Sequence, residues 1–292
     1  MTIRVKSYAK INWALDVLFK REDGYHELRT IYQTVSLHDN LIMTKTDSAI
    51  EIVCDDARVP CDETNLVYKT AVKLRTATGV QSGARIEIEK CIPVAAGMGG
   101  GSSNAAAALL GLEKLWQVTI NEEDRFHIAA SLGSDVPLFL IGGTLLGIGR
   151  GEEVYPLEEI ECDNLLLVNP GIAVSTATAY SSLRRLTRES PPRKIPFAFF
   201  AAKGIRELPL VARNDFEEVV LVTHPEIAEV KEKLQHLGAK LALMSGSGST
   251  VFAVFDNLRT SERAQQEMRA FGYWAELART VGRKEYKSSI FV

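Results

Sequence analysis

The chain opens on a period of two. Ile11, Trp13, Leu15 and Val17 are separated by Asn12, Ala14, Asp16 and Leu18, which predicts a strand with one strongly apolar face and one mixed face. The polar stretch KREDGYH (20–26) interrupts it with a turn at Asp23 and Gly24. Strand pattern resumes over 31–46. Residues 62–79 (DETNLVYKTAVKLRTATG) switch to helical spacing, with a cap-rich acidic start at 62–65 and Gly79 at the end. RIEIEK (85–90) alternates cleanly again. It feeds PVAAGMGGGSSNAAAALLGL (93–112), four closely spaced glycines running into a helix predicted over 102–116. Ser102 or Ser103 is the expected cap, and Leu109, Leu112 and Trp116 share one stripe. The alanines at 105–108 suit a helix lying tight against a sheet. A further helix is expected over 121–132, capped by Asn121 and closed by Gly133. The chain is then expected to turn through GSDVPLFLIGGTLLGIGRGE (133–152).

Beyond Glu152 the texture changes. NLLLVNPG reads as a short apolar strand and STATAYSSLRRL as a helix. TRESPPRKIP (187–196) is proline-rich and charged, an expected exposed excursion. HPEIAEVKEKLQHLG predicts an amphipathic helix with Ile227, Val230, Leu234 and Leu237 inward. KLALMSGSGSTVFAVF pairs two apolar runs around a second small-residue loop. TSERAQQEMRAFG predicts another helix and YWAELART a last strand. Strands and helices mix without regular alternation, so the expected class is α+β. A boundary near residue 160 divides the chain into 1–160 and 161–292.

Composition narrows what this architecture can serve. The 292 residues are 46% apolar and 24% charged, enough for a sizeable core. The net charge of −3 supplies no overall field for nucleic acid or an anionic membrane, so neither is an expected partner. Cys54, Cys61, Cys91 and Cys162 form no C-x-x-C pair, and no zinc site is expected. No apolar stretch suits a signal peptide or a membrane span. The expected location is the cytoplasm, with reduced thiols.

Any anion site must therefore be made locally, and the glycine loop can make one. The first amides of a helix have no acceptor within it, and the dipole there is positive. Glycines let the backbone approach a phosphate. The chain contains no Gly-Lys dipeptide, which excludes a P-loop, and Ser102 stands where a dinucleotide fingerprint needs glycine. By itself the loop reads equally as a flexible turn.

The string PVAAGMGGGSSNAA resembles the phosphate loop of the GHMP small-molecule kinases. Four further segments resemble one branch of that family: YAKINWALDVLFKREDGYHELRTIYQTVSLHD, LGSDVPLFLIGGTLLGIGRGE, NPGIAVSTATAY and MSGSGSTVFAVF. They occur in order over most of the chain. That branch phosphorylates a cytidylated methylerythritol in the non-mevalonate route to isoprenoid precursors. The resemblance implies a two-domain fold, the N-terminal domain like domain 2 of ribosomal protein S5 and the C-terminal one ferredoxin-like. It implies ATP and Mg²⁺ as cofactors, a small-molecule substrate bound between the domains, and a monomer or weak homodimer. Another GHMP kinase, of homoserine or mevalonate type, is the alternative reading, and a non-catalytic sensor on the same fold is a third.

Residue by residue, the resemblance makes Lys10 and Asp135 the catalytic pair. A carboxylate is a weak base for an alcohol, but in a loose transition state the proton leaves late. Nucleotide contacts fall on Pro93, Val94, Ala95, Ala96, Gly97, Met98, Gly99, Gly100, Gly101, Ser102, Ser103 and Asn104, with Asn65 and Lys90 near the adenine. Ser103 is the candidate hydroxyl for the metal, whose other ligands stay unassigned. Tyr25 would stack on cytosine, His26 would read its edge, and Tyr180 would close the other side. Asn12 and Tyr32 complete the substrate set, Asn12 because period two puts it beside Lys10. The chain departs from the family at Ala95 and Ala96, where a glycine is frequent. It departs again at Met98, where leucine is usual, at Ser249, where proline is frequent, and at Tyr32, where another aromatic is common.

Overall fold

The two long alternating runs pair with each other. In the computed structural model, which describes residues 1–183 and 212–292, β1 (Thr2–Lys20) and β2 (His26–Thr46) lie antiparallel from Thr2 opposite Thr44 to Lys20 opposite His26. β2 is long enough to hold two neighbours end to end. One half pairs with β4 (Gly83–Glu89), and β3 (Ile50–Cys54) runs parallel to β4 at the edge. The other half pairs with β5 (Thr144–Gly149), which carries β6 (Glu153–Pro156). A two-residue strand, β8 (Arg213–Asn214), returns to lie parallel to β1 and completes a seven-stranded sheet.

The first strand corrects the simple alternation. The register shifts between Asn12 and Ala14, so Trp13 is an extra residue in the ladder. Parity changes there. Lys10, Asn12 and then Leu15 line the cleft, while Ala9, Ile11, Trp13 and Ala14 share a core with Leu165, Leu167 and Phe252 of the second sheet.

Helices α1 (Leu66–Thr78), α2 (Gly100–Trp116), α3 (Glu122–Leu132) and α4 (Leu138–Ile141) follow β3, the glycine loop and the passage after it. Asn65 caps α1 through its side chain and Asn121 caps α3, as their sequences predict. α2 begins two residues earlier than predicted. Its cap is Gly99, in the left-handed region at φ 69°, and neither Ser102 nor Ser103 caps it. Leu109, Leu112, Leu115 and Trp116 bury against Leu41, Met43, Ile86 and Ile88 of the sheet. The passage over 133–152 is more regular than a turn, since it holds both α4 and β5.

The second sheet joins β7 (Leu165–Asn169), β9 (Leu241–Met244), β10 (Val251–Val254) and β11 (Trp274–Ala278) in the order β11-β7-β10-β9, every pair antiparallel. α5 (Thr176–Leu183), α6 (Glu217–Thr223) and α7 (Pro225–His236) lie between β7 and β9 in the chain. α8 (Leu258–Ala270) lies between β10 and β11. That is the βαββαβ order of a ferredoxin-like domain. The excursion expected over 187–196 lies outside the described residues. Residue 160 falls between β6 and β7, yet the chain end returns to the first sheet. α9 (Arg283–Ser289), which the sequence reading missed, brings the Tyr286 hydroxyl to the Phe139 carbonyl at 2.6 Å.

Candidate active site

A cavity of about 820 Å³ lies between the two sheets. Its floor is the cleft face of β1 and β2. One wall is the glycine loop with the start of α2, and the other is α5 with the loop between β9 and β10.

The glycine loop is bolted in place from three sides. The Lys10 amide donates to the Met98 carbonyl at 3.0 Å, joining the loop to β1 at the lysine itself. Ser245 Oγ donates to the Gly97 carbonyl at 2.9 Å, and the Thr250 amide donates to the Ala96 carbonyl at 3.2 Å. A Cβ on Gly97 would stand 2.1 Å from the Ser245 carbonyl oxygen, so the two small-residue loops touch backbone to backbone. Asn214 in turn holds the second loop, donating to the carbonyls of Met244 and Gly246 at 2.7 Å each.

The third side is a buried ionic cluster that sequence reasoning missed. Asp39 on β2 has no exposed surface. One oxygen accepts from the amides of Cys91 and Ile92, both at 2.8 Å. The other accepts from Asn104 Nδ2 at 2.9 Å and pairs with the Lys90 ammonium. The only sequence signal is an acid in the middle of a strand pattern. Ser7 belongs to the same cluster, accepting from Asn104 Nδ2 and donating to Ser103 Oγ, each at 2.8 Å.

This corrects two assignments. The Ser103 side chain is buried toward Ser7, and Met98 is buried in the core, so neither side chain reaches the cleft. The reason is helical geometry, because an α2 that starts at Gly100 turns Ser102 outward and Ser103 inward. Every other residue singled out for nucleotide or substrate lines the cavity. Asn65 does so while capping α1 and donating to the Pro60 carbonyl at 2.6 Å.

At the centre, Lys10 Nζ lies 3.4 Å from Asp135 Oδ2 and donates to Asn12 Oδ1 at 2.7 Å. Asn12 is oriented by its own donation to Thr30 Oγ1 at 2.7 Å. The Tyr32 hydroxyl donates to Asp135 Oδ1 at 3.0 Å. Burial, and then the Asp135 charge, push the Tyr32 phenol well above its ordinary pKa, so it stays protonated. Asp135 is the one carboxylate among the described residues lining the cavity, against Lys10, Arg58, Lys90 and Arg150. Lys90, Arg58 and Arg150 each have a carboxylate of their own, in Asp39, Asp56 and Glu152. Neither Arg58 nor Arg150 was anticipated.

At the far end, His26 lies flat against Tyr180, ring centroids 4.9 Å apart and planes 16° from parallel. Tyr180 meets Phe216 edge-on at 4.8 Å. Tyr25 is 54% exposed, and the Arg150 guanidinium sits 4.7 Å over its ring.

Comparison with known proteins identifies the family. The family model described as GHMP kinases N terminal domain matches residues 65–143, and the one described as GHMP kinases C terminal matches 201–273. A 4-diphosphocytidyl-2-C-methyl-D-erythritol kinase of Geobacter sulfurreducens is 40% identical over 280 residues, 96% of this chain and 99% of that one. The chain belongs to the 4-diphosphocytidyl-2-C-methyl-D-erythritol kinase family. Another family member, from Bacillus cytotoxicus, is 39% identical over 98% of this chain and 99% of its own length. A crystal structure of 4-(cytidine 5'-diphospho)-2C-methyl-D-erythritol kinase superposes with a TM-score of 0.81 at 33% identity, covering 96% of this chain and all of that one. A homoserine kinase from Cytophaga hutchinsonii has the same fold, with a TM-score of 0.70 at 20% identity over 97% of this chain and 96% of that one. The expected fold is therefore the observed one, and the chain is an ATP-binding transferase of isoprenoid biosynthesis. Among the described residues no helix is long and apolar enough to cross a membrane.

Proposed function

We propose that the cleft transfers the γ-phosphate of ATP to the 2-hydroxyl of 4-diphosphocytidyl-2-C-methyl-D-erythritol. The observation that carries this reading is the Lys10–Asp135 pair, set between a backbone anion cradle and an aromatic cluster. Residues 1–160 supply the cradle and the pair, and residues 161–292 close the cleft. The amides at the start of α2 and of the loop before it hold the polyphosphate, by partial charge rather than a P-loop lysine. Tyr25, with Arg150 on one face, offers the other to cytosine. His26, held flat by Tyr180, presents its ring edge to the base.

In the transfer, the bond from the γ-phosphorus to the bridging oxygen of ADP breaks as the substrate oxygen bonds to phosphorus. The hydroxyl proton passes to Asp135. Lys10 holds Asp135 and stabilises negative charge on the transferring group. A Mg²⁺ would be held chiefly by phosphate oxygens and water, with the Ser102 and Ser134 hydroxyls at the cleft as the protein groups available to it. When bound, the ion would neutralise charge on the bridging phosphates. The protein acts on a small molecule, as a monomer or weak homodimer, without nucleic acid.

Asp135→Ala tests the assignment. It should lower kcat on the cytidylated substrate by about a thousandfold or more while ATP affinity stays within a few-fold. A kcat near wild type in steady-state assays would remove Asp135 from the chemistry.

A further inference from the structure

We infer that Tyr32 is a positioning residue, whose hydroxyl fixes the Asp135 carboxylate so that Oδ1 is the anchored oxygen and Oδ2 the working one. This rests on the reading of Asp135 as the base. It moves Tyr32 out of the set of substrate contacts.

Three observations carry it. Asp135 sits on the loop between α3 and α4, with its side chain 30% exposed. Lys10 lies 3.4 Å from Oδ2, longer than a good charge-assisted hydrogen bond of about 2.8 Å. The Tyr32 O–H lies closer, 3.0 Å from Oδ1. Of the two, the tyrosine is therefore the tighter hold on the carboxylate.

Tyr32 is itself immobilised. It is 3% exposed and sits in the middle of the sheet, opposite Asn12 on β1 and Leu145 on β5. Its ring fills a slot cut by two glycines. A Cβ on Gly147 would stand 2.5 Å from Tyr32 Cε2, and one on Gly151 would stand 2.4 Å from the hydroxyl oxygen. Any side chain at either position would push the ring off Asp135. A ring placed only to pack would not need clearance at its hydroxyl.

The consequence is a division of labour on one carboxylate. Oδ1 is spent on the tyrosine. Oδ2 faces the ammonium of Lys10, and that side receives the substrate proton. Positioning of this kind shows in turnover rather than affinity, because a misplaced base costs rate while binding stays intact.

Tyr32→Phe in the full-length protein is the test. It should lower kcat about five- to thirtyfold, leave KM for ATP and for the cytidylated substrate within about twofold, and hardly move the melting temperature. In an Asp135→Asn background the same change should lower residual turnover less than twofold, because there is no carboxylate left to position. A raised substrate KM with kcat unchanged would overturn the proposal and return Tyr32 to the substrate contacts. An unchanged kcat, or the same fold-loss in both backgrounds, would also overturn it. If Asp135→Asn alone keeps nearly full activity, the fault lies in the base assignment rather than in Tyr32.

Discussion

The two ends of the cleft, the one proposed for phosphate and the one proposed for the base, are built by opposite methods. The phosphate end is backbone, fixed by contacts that bury their own charges. Asp39 binds Lys90, Asn104 and two amides, and Gly97 presses against the Ser245 carbonyl. The base end is side chains, and partly exposed ones, with Tyr25 at 54% and a stacked His26–Tyr180 pair. Backbone amides recognise any phosphate, so this end needs rigidity and no sequence-specific groups. Aromatic faces stack on any base and hydrogen-bonding ring edges select among them, so that end needs particular side chains. Damage at the phosphate end should therefore reach the fold, and damage at the base end should reach only substrate affinity.

Gly97→Ala is the strongest way to break that contrast. Gly97 has φ 76°, where a Cβ is strained, and the added methyl would collide with the Ser245 carbonyl. Strain and overpacking together should cost about 2–4 kcal/mol of stability. Chemical denaturation and ATP titration should both register the loss, since the same contact joins the two loops. A variant with wild-type stability and weak ATP binding alone would show that the loops are independent.

Tyr25→Ala is the matching change at the other end. A stacked base is worth about 1–3 kcal/mol, so KM for the cytidylated substrate should rise about five- to a hundredfold. Stability should stay within about 0.5 kcal/mol, because the ring is exposed. KM for ATP should not change. An effect confined to ATP would reverse the assignment of the two ends.

Much of this was legible in the sequence, and for identifiable reasons. Period two and period 3.6 located β1, β2, β4, α1 and α3; β4 and α1 bury one face each, whereas the middle of β1 is buried on both faces and alternates in polarity alone. Asn65, Asn121 and Gly79 marked helix ends, because their local geometry is the same in any fold. The bulge at Trp13 was not legible, since a register shift is set by the pairing with β2 and nothing in the local pattern of β1 marks it. The start of α2 was missed because serines are stronger caps than glycine, yet here Gly99 at positive φ begins the helix and frees the amides for the cleft. Asp39 and Asn214 were missed for a different reason. Each holds its loop across long sequence separations, through residues that no local pattern connects to it. The pairing of Lys10 with Asp135 and the aromatic set were proposed from the family resemblance, and no spacing would have joined Lys10 to Asp135.

The smallest test lies inside the rigid end itself. Ala95 is exposed and adopts φ 55°, a left-handed conformation that costs a residue with a Cβ about 1 kcal/mol. Its methyl faces solvent, so little packing offsets the strain. Ala95→Gly relieves the strain but gives the unfolded chain more freedom, and the two effects oppose each other. The net change should be a gain of no more than about 1 kcal/mol, read as a small rise in denaturation midpoint, with kcat unaltered. If the loop is as firmly bolted as Gly97, Ser245 and Asp39 indicate, KM for ATP should not move either, because the amides keep their places when one methyl is removed. A clear rise in KM for ATP would mean that the alanine stiffens the loop, and that the rigidity of the phosphate end is owed partly to a strained residue rather than to its contacts alone.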